Sequence, residues 1–405
     1  MTPLGSTYPR VATVGGFAGV SILKGLEREK NYRELTGVRA LKLGVKDGRV
    51  SGAYCFDKAK NEWFFINAKC VVVATGGFSS IYRFSTNGAD LGGDGIAMCL
   101  DAGATLVDLE FIQFEPTVAV DPPALVGKSM ITTLLFEGAT IRNGKGRPLA
   151  DDWTGIQKDG LARMICREIQ SGNAGPHGGV FFDATGVDPA LLRGKYKSYL
   201  KRYADVGIDL TRQYAEIAPA PHTTMGGVRI DPECKTDVEG LFACGEVSGG
   251  IHGANRLGGN AGLEVVVFGK IAGRSAAAYA KRHGFSEEIA FARAERKEDA
   301  PTDRRAKMED VLEKSLNVIR NARDLSDGAA VVSDLLQKTP FSFCYESARL
   351  HNDLLCALAA ISAAAERKGS VGAHFRSDGI EETEKYALDV TSRNDRLTVK
   401  RRMLG

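Results

Sequence analysis

The stretch from Pro219 to Gly269 constrains the fold more than any other part of the chain. It reads PAPHTTMGGVRIDPECKTDVEGLFACGEVSGGIHGANRLGGNAGLEVVVFG. Gly226-Gly227 opens a short strand, Val228 to Asp231, and Gly240 to Glu246 is a buried strand running into a turn that ends on a carboxylate. Gly249, Gly250, Gly253, Gly258 and Gly259 follow, before a helix that starts near Asn260 and carries Leu263, Val266, Val267 and Ile271. Glycine at this density lets backbone approach a ligand closely. A helix N-terminus aimed at the same place adds unpaired N–H groups and the positive end of a dipole. A backbone-lined pocket at a strand end suits a nucleotide cofactor. The alternative, a merely flexible glycine loop, does not account for the strand before the run and the apolar-periodic helix after it.

Bulk properties fit a folded catalyst. A chain of 405 residues can bury a sizeable core in two or three domains. Its net charge is only +3 with 25% charged residues, which argues against nucleic acid or an anionic membrane as partner. The eight cysteines (Cys55, Cys70, Cys99, Cys166, Cys234, Cys244, Cys344, Cys356) lack CxxC or Cys/His ligand spacing. They read as free thiols of a reducing compartment, with no iron–sulfur, zinc or other metal site. The longest apolar region, Ala261 to Ala280, is interrupted by Glu264, Lys270 and Arg274, and no signal peptide precedes Arg10. The expectation is a cytoplasmic protein with no transmembrane segment.

Taken in order, the chain opens without the strand and GxGxxG turn that cradle a pyrophosphate. Val20 to Glu29 reads as a helix. Val38–Val45, Arg49–Phe56 and Trp63–Ile66 alternate as strands, with Asp47-Gly48 as a hairpin turn. Cys70–Thr75 is a continuous apolar strand ending at Gly76-Gly77. Leu91–Ala104 is a glycine turn into a short helix, with Asp94 placed to serve as its N-cap. Gly144, Gly146 and Arg147-Pro148 form a turn, Asp159–Ile169 is a helix, and Gly172–Gly179 is a loop in which His177 is solvated. Ser286–Ala300 is charged and linker-like. Met308–Ile319, Asp327–Leu336 and Phe343–Ala365 are helical by periodicity and suggest a bundle.

HTTMGG followed by GLFACGEVSGGIHGANRLGGN closely resembles the flavoprotein subunits of succinate dehydrogenase and fumarate reductase, a family that includes L-aspartate oxidase. The likeness is strong from about Cys70 onward, and GAHFRSD (Gly372–Asp378) extends it, with Val371 in place of the family's arginine. It implies an α/β fold: a partial FAD-binding domain (Rossmann-like, of the glutathione-reductase type), an inserted α+β capping domain and a C-terminal helical bundle. The implied boundaries are 1–112 and 218–285 for the FAD-binding domain, 113–217 for the cap and 286–405 for the helical part. The lobe bearing the GxGxxG loop is expected to be absent from this chain. The cofactor is FAD, held at Thr75, Gly76, Gly77, Asp94, Gly245, Glu246, Asn260, Ala261 and Gly262. The family's substrate histidine falls on His222, its substrate arginine on Arg256 and its substrate threonine on Thr132. Family chemistry moves a hydride between flavin N5 and one carbon of a C4 dicarboxylate, while a proton moves at the neighbouring carbon.

The cap departs from the family pattern. Where the family reads FHPT, this chain reads Phe114-Glu115-Pro116-Thr117. The relay glutamate and arginine become Thr133 and Phe136, and the proton-donating arginine of RDxxAR becomes Lys158, with Asp159, Ala162 and Arg163 matching. Lysine can donate a proton, and a carboxylate such as Glu115 would hold its charge in place. An anionic Glu115 would repel a second substrate carboxylate. The expected catalytic set is therefore Lys158, His222, Arg256 and Glu115, acting on a small carboxylate substrate other than plain fumarate or succinate. Two alternatives stay open: fumarate or succinate chemistry with Lys158 as proton donor, and a shortened non-catalytic homologue acting as an interaction subunit. An iron–sulfur subunit or a separate N-terminal FAD lobe are the implied protein partners, with attachment at the inner face of a membrane through such subunits.

Overall fold

The computed structural model describes residues 18–286, 302–393 and 396–404. Helix α1 (Ala18–Arg28) precedes an antiparallel meander of β1 (Val38–Lys46), β2 (Arg49–Asp57) and β3 (Glu62–Asn67). Asp47 and Gly48 both take positive φ, 51° and 75°, the geometry an Asp-Gly hairpin requires. The apolar run continues as β4 (Val71–Val73), followed by α2 (Asp94–Asp101) and β5 (Leu106–Val107).

A second layer is built from β6 (Ile112–Ala119), β7 (Thr140–Arg142), α3 (Lys158–Gln170), β8 (Val180–Asp183), α4 (Pro189–Gly194), α5 (Lys197–Ala204) and β9 (Ala215–Thr224). Its four strands lie in the order β6-β9-β8-β7, with each neighbouring pair antiparallel. All eight residues of β6 are buried. This layer has its own core, in which Leu134, Ile141, Trp153, Leu161, Phe182 and Tyr203 pack together.

The glycine-rich stretch forms β10 (Gly227–Arg229), β11 (Leu241–Ala243) and β12 (Ser248–Gly249) before α6 (Asn260–Arg282). Strand β11 pairs in parallel with β4, Leu241 opposite Val71. The chain continues with α7 (Thr302–Ser315), β13 (Ile319–Arg320), α8 (Ala322–Gln337), α9 (Tyr345–Glu366), β14 (Phe375–Arg376), β15 (Tyr386–Arg393) and β16 (Arg396–Met403). No helix among the described residues is long and apolar enough to cross a membrane, and no His/Cys/Asp/Glu group among them could hold a metal ion.

The C-terminal region holds the expected helices, α7 to α9, and adds strands that periodicity did not announce. The last two, β15 and β16, complete a five-stranded sheet in the order β12-β10-β5-β15-β16. Its helices share one core with the first layer, Leu312, Leu350 and Leu354 packing with Ile96, Leu100 and Leu106. The region thus shares its core with the first layer rather than folding beside it. The helix expected over Met308–Ile319 ends at Ser315, because Ile319 and Arg320 leave it to pair with Phe375 and Arg376. Most of the linker expected at Ser286–Ala300 lies outside the described residues.

Candidate active site

Strands β6 and β9 bring the expected cap residues and His222 together. Glu115 pairs with Ala220, two residues before His222, a spacing that turns side chains to one face of a sheet. Lys158, the first residue of α3, forms an ion pair with Glu115. Glu115 is buried and the Lys158 side chain is 21% exposed. A cation at a helix N-terminus meets the positive end of the helix dipole, so the Glu115 carboxylate offsets an otherwise unfavourable placement. The pairing inferred from the two substitutions in the cap is present in the structure.

His222 and Arg256 face the same pair. Burial pushes the His222 imidazole down to about 4, with Lys158 and Arg256 adding to the shift and Glu115 opposing it. Its Nδ1 lies 2.7 Å from the Thr86 hydroxyl. Arg256 is 8% exposed, and burial lowers its pKa against the opposing pull of Glu246, Glu115 and Glu264. Its Nε has no hydrogen-bond partner, and no carboxylate among the described residues forms an ion pair with it. A buried guanidinium in that condition is costly unless an anion completes it.

Sequence reasoning missed the residues that hold this arginine. Gln113, on β6 and 1% exposed, donates from Nε2 to the Arg256 carbonyl (2.8 Å) and accepts from its guanidinium through Oε1 (3.0 Å). Gln113 also donates to Asn255 Oδ1 (2.9 Å), and Asn255 Nδ2 donates to Asp159 Oδ1 (3.1 Å) beside Lys158. The loop carrying Arg256 is thereby tied to β6 and to the start of α3. The available signal was the alternation of polar Gln113, Glu115 and Thr117 with apolar residues along β6.

The remaining expected residues divide. Thr132 is buried at the start of a 3₁₀ turn, Thr132–Glu137, whose Phe136 is 52% exposed. Thr75, Gly76 and Gly77 follow β4 towards the glycine stretch. A Cβ on Gly77 would lie 2.3 Å from both Glu246 Oε1 and Thr224 Oγ1, so only glycine fits there. Gly245 has φ +76°, and Glu246 Oε1 accepts from the Thr224 amide at 2.9 Å. Burial raises the Glu246 pKa, opposed by these Thr224 hydrogen bonds. Asp94 is not the N-cap of α2, which is Gly93; its carboxylate accepts from Arg39 Nε (2.7 Å) and Asn352 Nδ2 (2.9 Å). His177, expected as solvated, is half-exposed and bonded to Glu216.

These surroundings fit the flavin end of FAD. The N-cap of α6, Gly259, is in the left-handed region and supplies no side-chain cap; the Asn260 amide turns back to the Leu257 carbonyl at 3.3 Å, while the N–H groups of Ala261 and Gly262 are left unclaimed by a capping side chain. Glu264 Oε1, buried in the next turn, has no partner. The uncapped amides of Ala261 and Gly262, a tight glycine turn and a buried arginine with no ion pair among the described residues suit an electron-rich ring beside an anionic substrate.

Comparison with known proteins agrees. Residues 4–261 match the FAD binding domain family, and residues 305–404 match the fumarate reductase flavoprotein C-terminal family. An uncharacterised FAD-dependent oxidoreductase of Methanocaldococcus jannaschii is 37% identical over 292 residues, 70% of this chain and 53% of that protein. A fumarate reductase (CoM/CoB) subunit of Methanothermobacter marburgensis is 32% identical over 400 residues, covering 92% of this chain and 73% of that protein. The chain thus spans about half of the first relative's length and about three quarters of the second's. Among solved structures, a quinol–fumarate reductase with menaquinol molecules superposes with a TM-score of 0.86 at 25% identity, covering 100% of this chain and 78% of that one. The chain belongs to the FAD-dependent oxidoreductase flavoproteins of the fumarate reductase, succinate dehydrogenase and L-aspartate oxidase family.

Proposed function

We propose that this chain carries the substrate site of an FAD-dependent oxidoreductase acting at a C–C bond next to a carboxylate. The carrying observation is Arg256, buried, with an Nε that has no partner and no ion pair among the described residues. Guanidinium grips a carboxylate bidentately, and Gln113 holds this one in register. FAD, held by Gly76, Gly77, Gly245, Glu246 and the α6 N-terminus, supplies the hydride acceptor or donor. Thr132 and His222 contribute further hydrogen bonds to the substrate. Lys158 holds a proton for the carbon adjacent to the hydride position, and Glu115 keeps that ammonium in place.

The same charges select the substrate. Lys158 is neutralised by Glu115 and His222 is uncharged, so Arg256 provides the site's cation for one carboxylate. A second carboxylate directed at Glu115 meets repulsion, whereas an ester, amide or ammonium group does not. The substrate class is a small acid whose far end is neutral or cationic. Fumarate or succinate chemistry is the second reading, favoured by the fumarate reductase relative and by a lysine able to deliver the proton. An iron–sulfur subunit is the electron partner we propose.

The test uses FAD-supplied protein with a reduced viologen dye, comparing fumarate with monomethyl fumarate. The monoester is expected to be the better substrate. Arg256→Lys should lower kcat/KM by about 10- to 100-fold while leaving the flavin spectrum intact. An unchanged kcat/KM removes Arg256 from the site.

A further inference from the structure

Thr86 lies outside every motif, in the segment between β4 and α2, yet the chain around it is built onto His222. The Thr86 amide donates to the Pro221 carbonyl at 3.1 Å, and Asn87 Nδ2 donates to the His222 carbonyl at 2.9 Å. Between these two bonds the Thr86 hydroxyl lies 2.7 Å from His222 Nδ1. A hydroxyl has one proton to give. Its other acceptor in reach, the Pro221 carbonyl, is 3.4 Å away and already takes the Thr86 amide. The shorter of the two contacts favours delivery of that proton to Nδ1, which makes Nδ1 the unprotonated nitrogen of the ring. His222 Nε2 has no protein partner among the described residues.

We propose that Thr86 is a positioning residue that fixes His222 as the Nε2-protonated, neutral tautomer, so that the ring offers its ligand a single N–H donor rather than a cation or an acceptor. The ligand atom it takes is then an oxygen, a carbonyl or one oxygen of a carboxylate. This last clause rests on the function proposed above, whereas the tautomer does not. The groups facing the ring are Glu115, Lys158 and Arg256, and burial dominates them in keeping the ring uncharged. With the ring neutral, an uncharged carbonyl at the far end of the substrate is held without a net charge, in keeping with a monoacid.

The experiment is nitrogen NMR of the full chain with ¹⁵N-labelled histidine. There are six histidines, and the His222 signals are assigned by their loss in His222→Gln. The expected result is an unprotonated Nδ1 and a protonated Nε2 in the unmodified protein across neutral pH. Thr86→Val, which keeps the shape and removes the hydroxyl, should give a mixture of tautomers, and Thr86→Ser should restore the single form. An Nδ1-protonated ring in the unmodified protein overturns the proposal, as does a Thr86→Val spectrum identical to it. If Thr86→Val does not fold, the unmodified protein and Thr86→Ser decide. The readout needs neither cofactor nor turnover. A failed Arg256→Lys test would leave the tautomer standing, and a wrong tautomer would leave the carboxylate reading standing.

Discussion

At the scale of single residues, the site is a set of charges whose values depend on one another. Glu115 and Lys158 are paired beside His222 and Arg256. Removing one partner leaves the other in a poorly solvated place with no counter-charge, which costs more than the pair contributes. Glu115→Gln and Lys158→Met should each impair activity, and the double variant should be less impaired than the two effects multiplied. The coupling expected is about 1 kcal/mol or more, the range for residues in direct contact. Kinetics of the four proteins measure it, and simple additivity would separate the pair functionally. Glu115→His with Lys158→Arg should shift turnover towards fumarate. If the unmodified holoprotein already reduces fumarate as well as that variant, these two residues do not set substrate choice.

At the scale of elements, Glu246 ties the turn after β11 to the end of β9, and the turn after β4 packs against that contact. The Glu246 carboxylate takes the Thr224 amide and hydroxyl, and Gly77 lies against both partners. Gly77→Ala forces a methyl group into that contact and should destabilise the protein by about 1–3 kcal/mol. Gly273→Ala, in mid-α6 with nothing near its missing side chain, should be neutral or stabilising by up to about 1 kcal/mol. Thermal unfolding of the two variants makes the comparison. Equal melting temperatures would mean that the Gly77 turn relaxes freely.

At the scale of the whole molecule, a buried polar network fastens the C-terminal region to the rest. Arg367 donates to Glu110 Oε1 at 2.7 Å, while Arg320, fully buried, donates to the Glu110 carbonyl (2.7 Å) and to His374 Nδ1 (2.8 Å). Burial, aided by Arg320, pushes His374 down to about 2, and burial raises Glu110 to about 7. Unfolding returns the histidines to about 6.5 and the glutamate to about 4.5. Between those two values the unfolded chain binds a proton at His374 and another at His222, while the folded chain holds one extra at Glu110. At these three groups the unfolded state binds more protons, so together they make stability fall as pH falls through this window, against the opposite pull of His177, raised by its Glu216 hydrogen bond, and of Glu246, raised by burial. Urea midpoints should be lower at pH 5 than at pH 7, with a smaller difference in His374→Gln. A pH 5 to pH 7 difference left unchanged by His374→Gln would contradict neutral burial of that ring.

Much of the fold was legible locally. Asp47-Gly48 encodes its hairpin, the apolar alternation of β1–β3 encodes their pairing, and the glycines before Asn260 encode a helix start that backbone can approach. Set against the family pattern, the departures at Glu115 and Lys158 were legible as a pair, since an acid and a base replacing two residues of one site call for each other. What sequence could not decide is who partners whom at long range. Asp94 looked like a cap, and the fold spends it on Arg39 and Asn352, the latter 258 positions away. Strand β16, mostly exposed and rich in arginine and lysine, carries little apolar signal, so its place at a sheet edge had to come from the ladder with β15. Thr86 shows no local pattern, and the polar position of Gln113 in β6 does not name its partner. Their roles exist because β6, β9 and the loop before α2 converge, and a hydrogen bond between distant residues is specified by that convergence rather than by either neighbourhood.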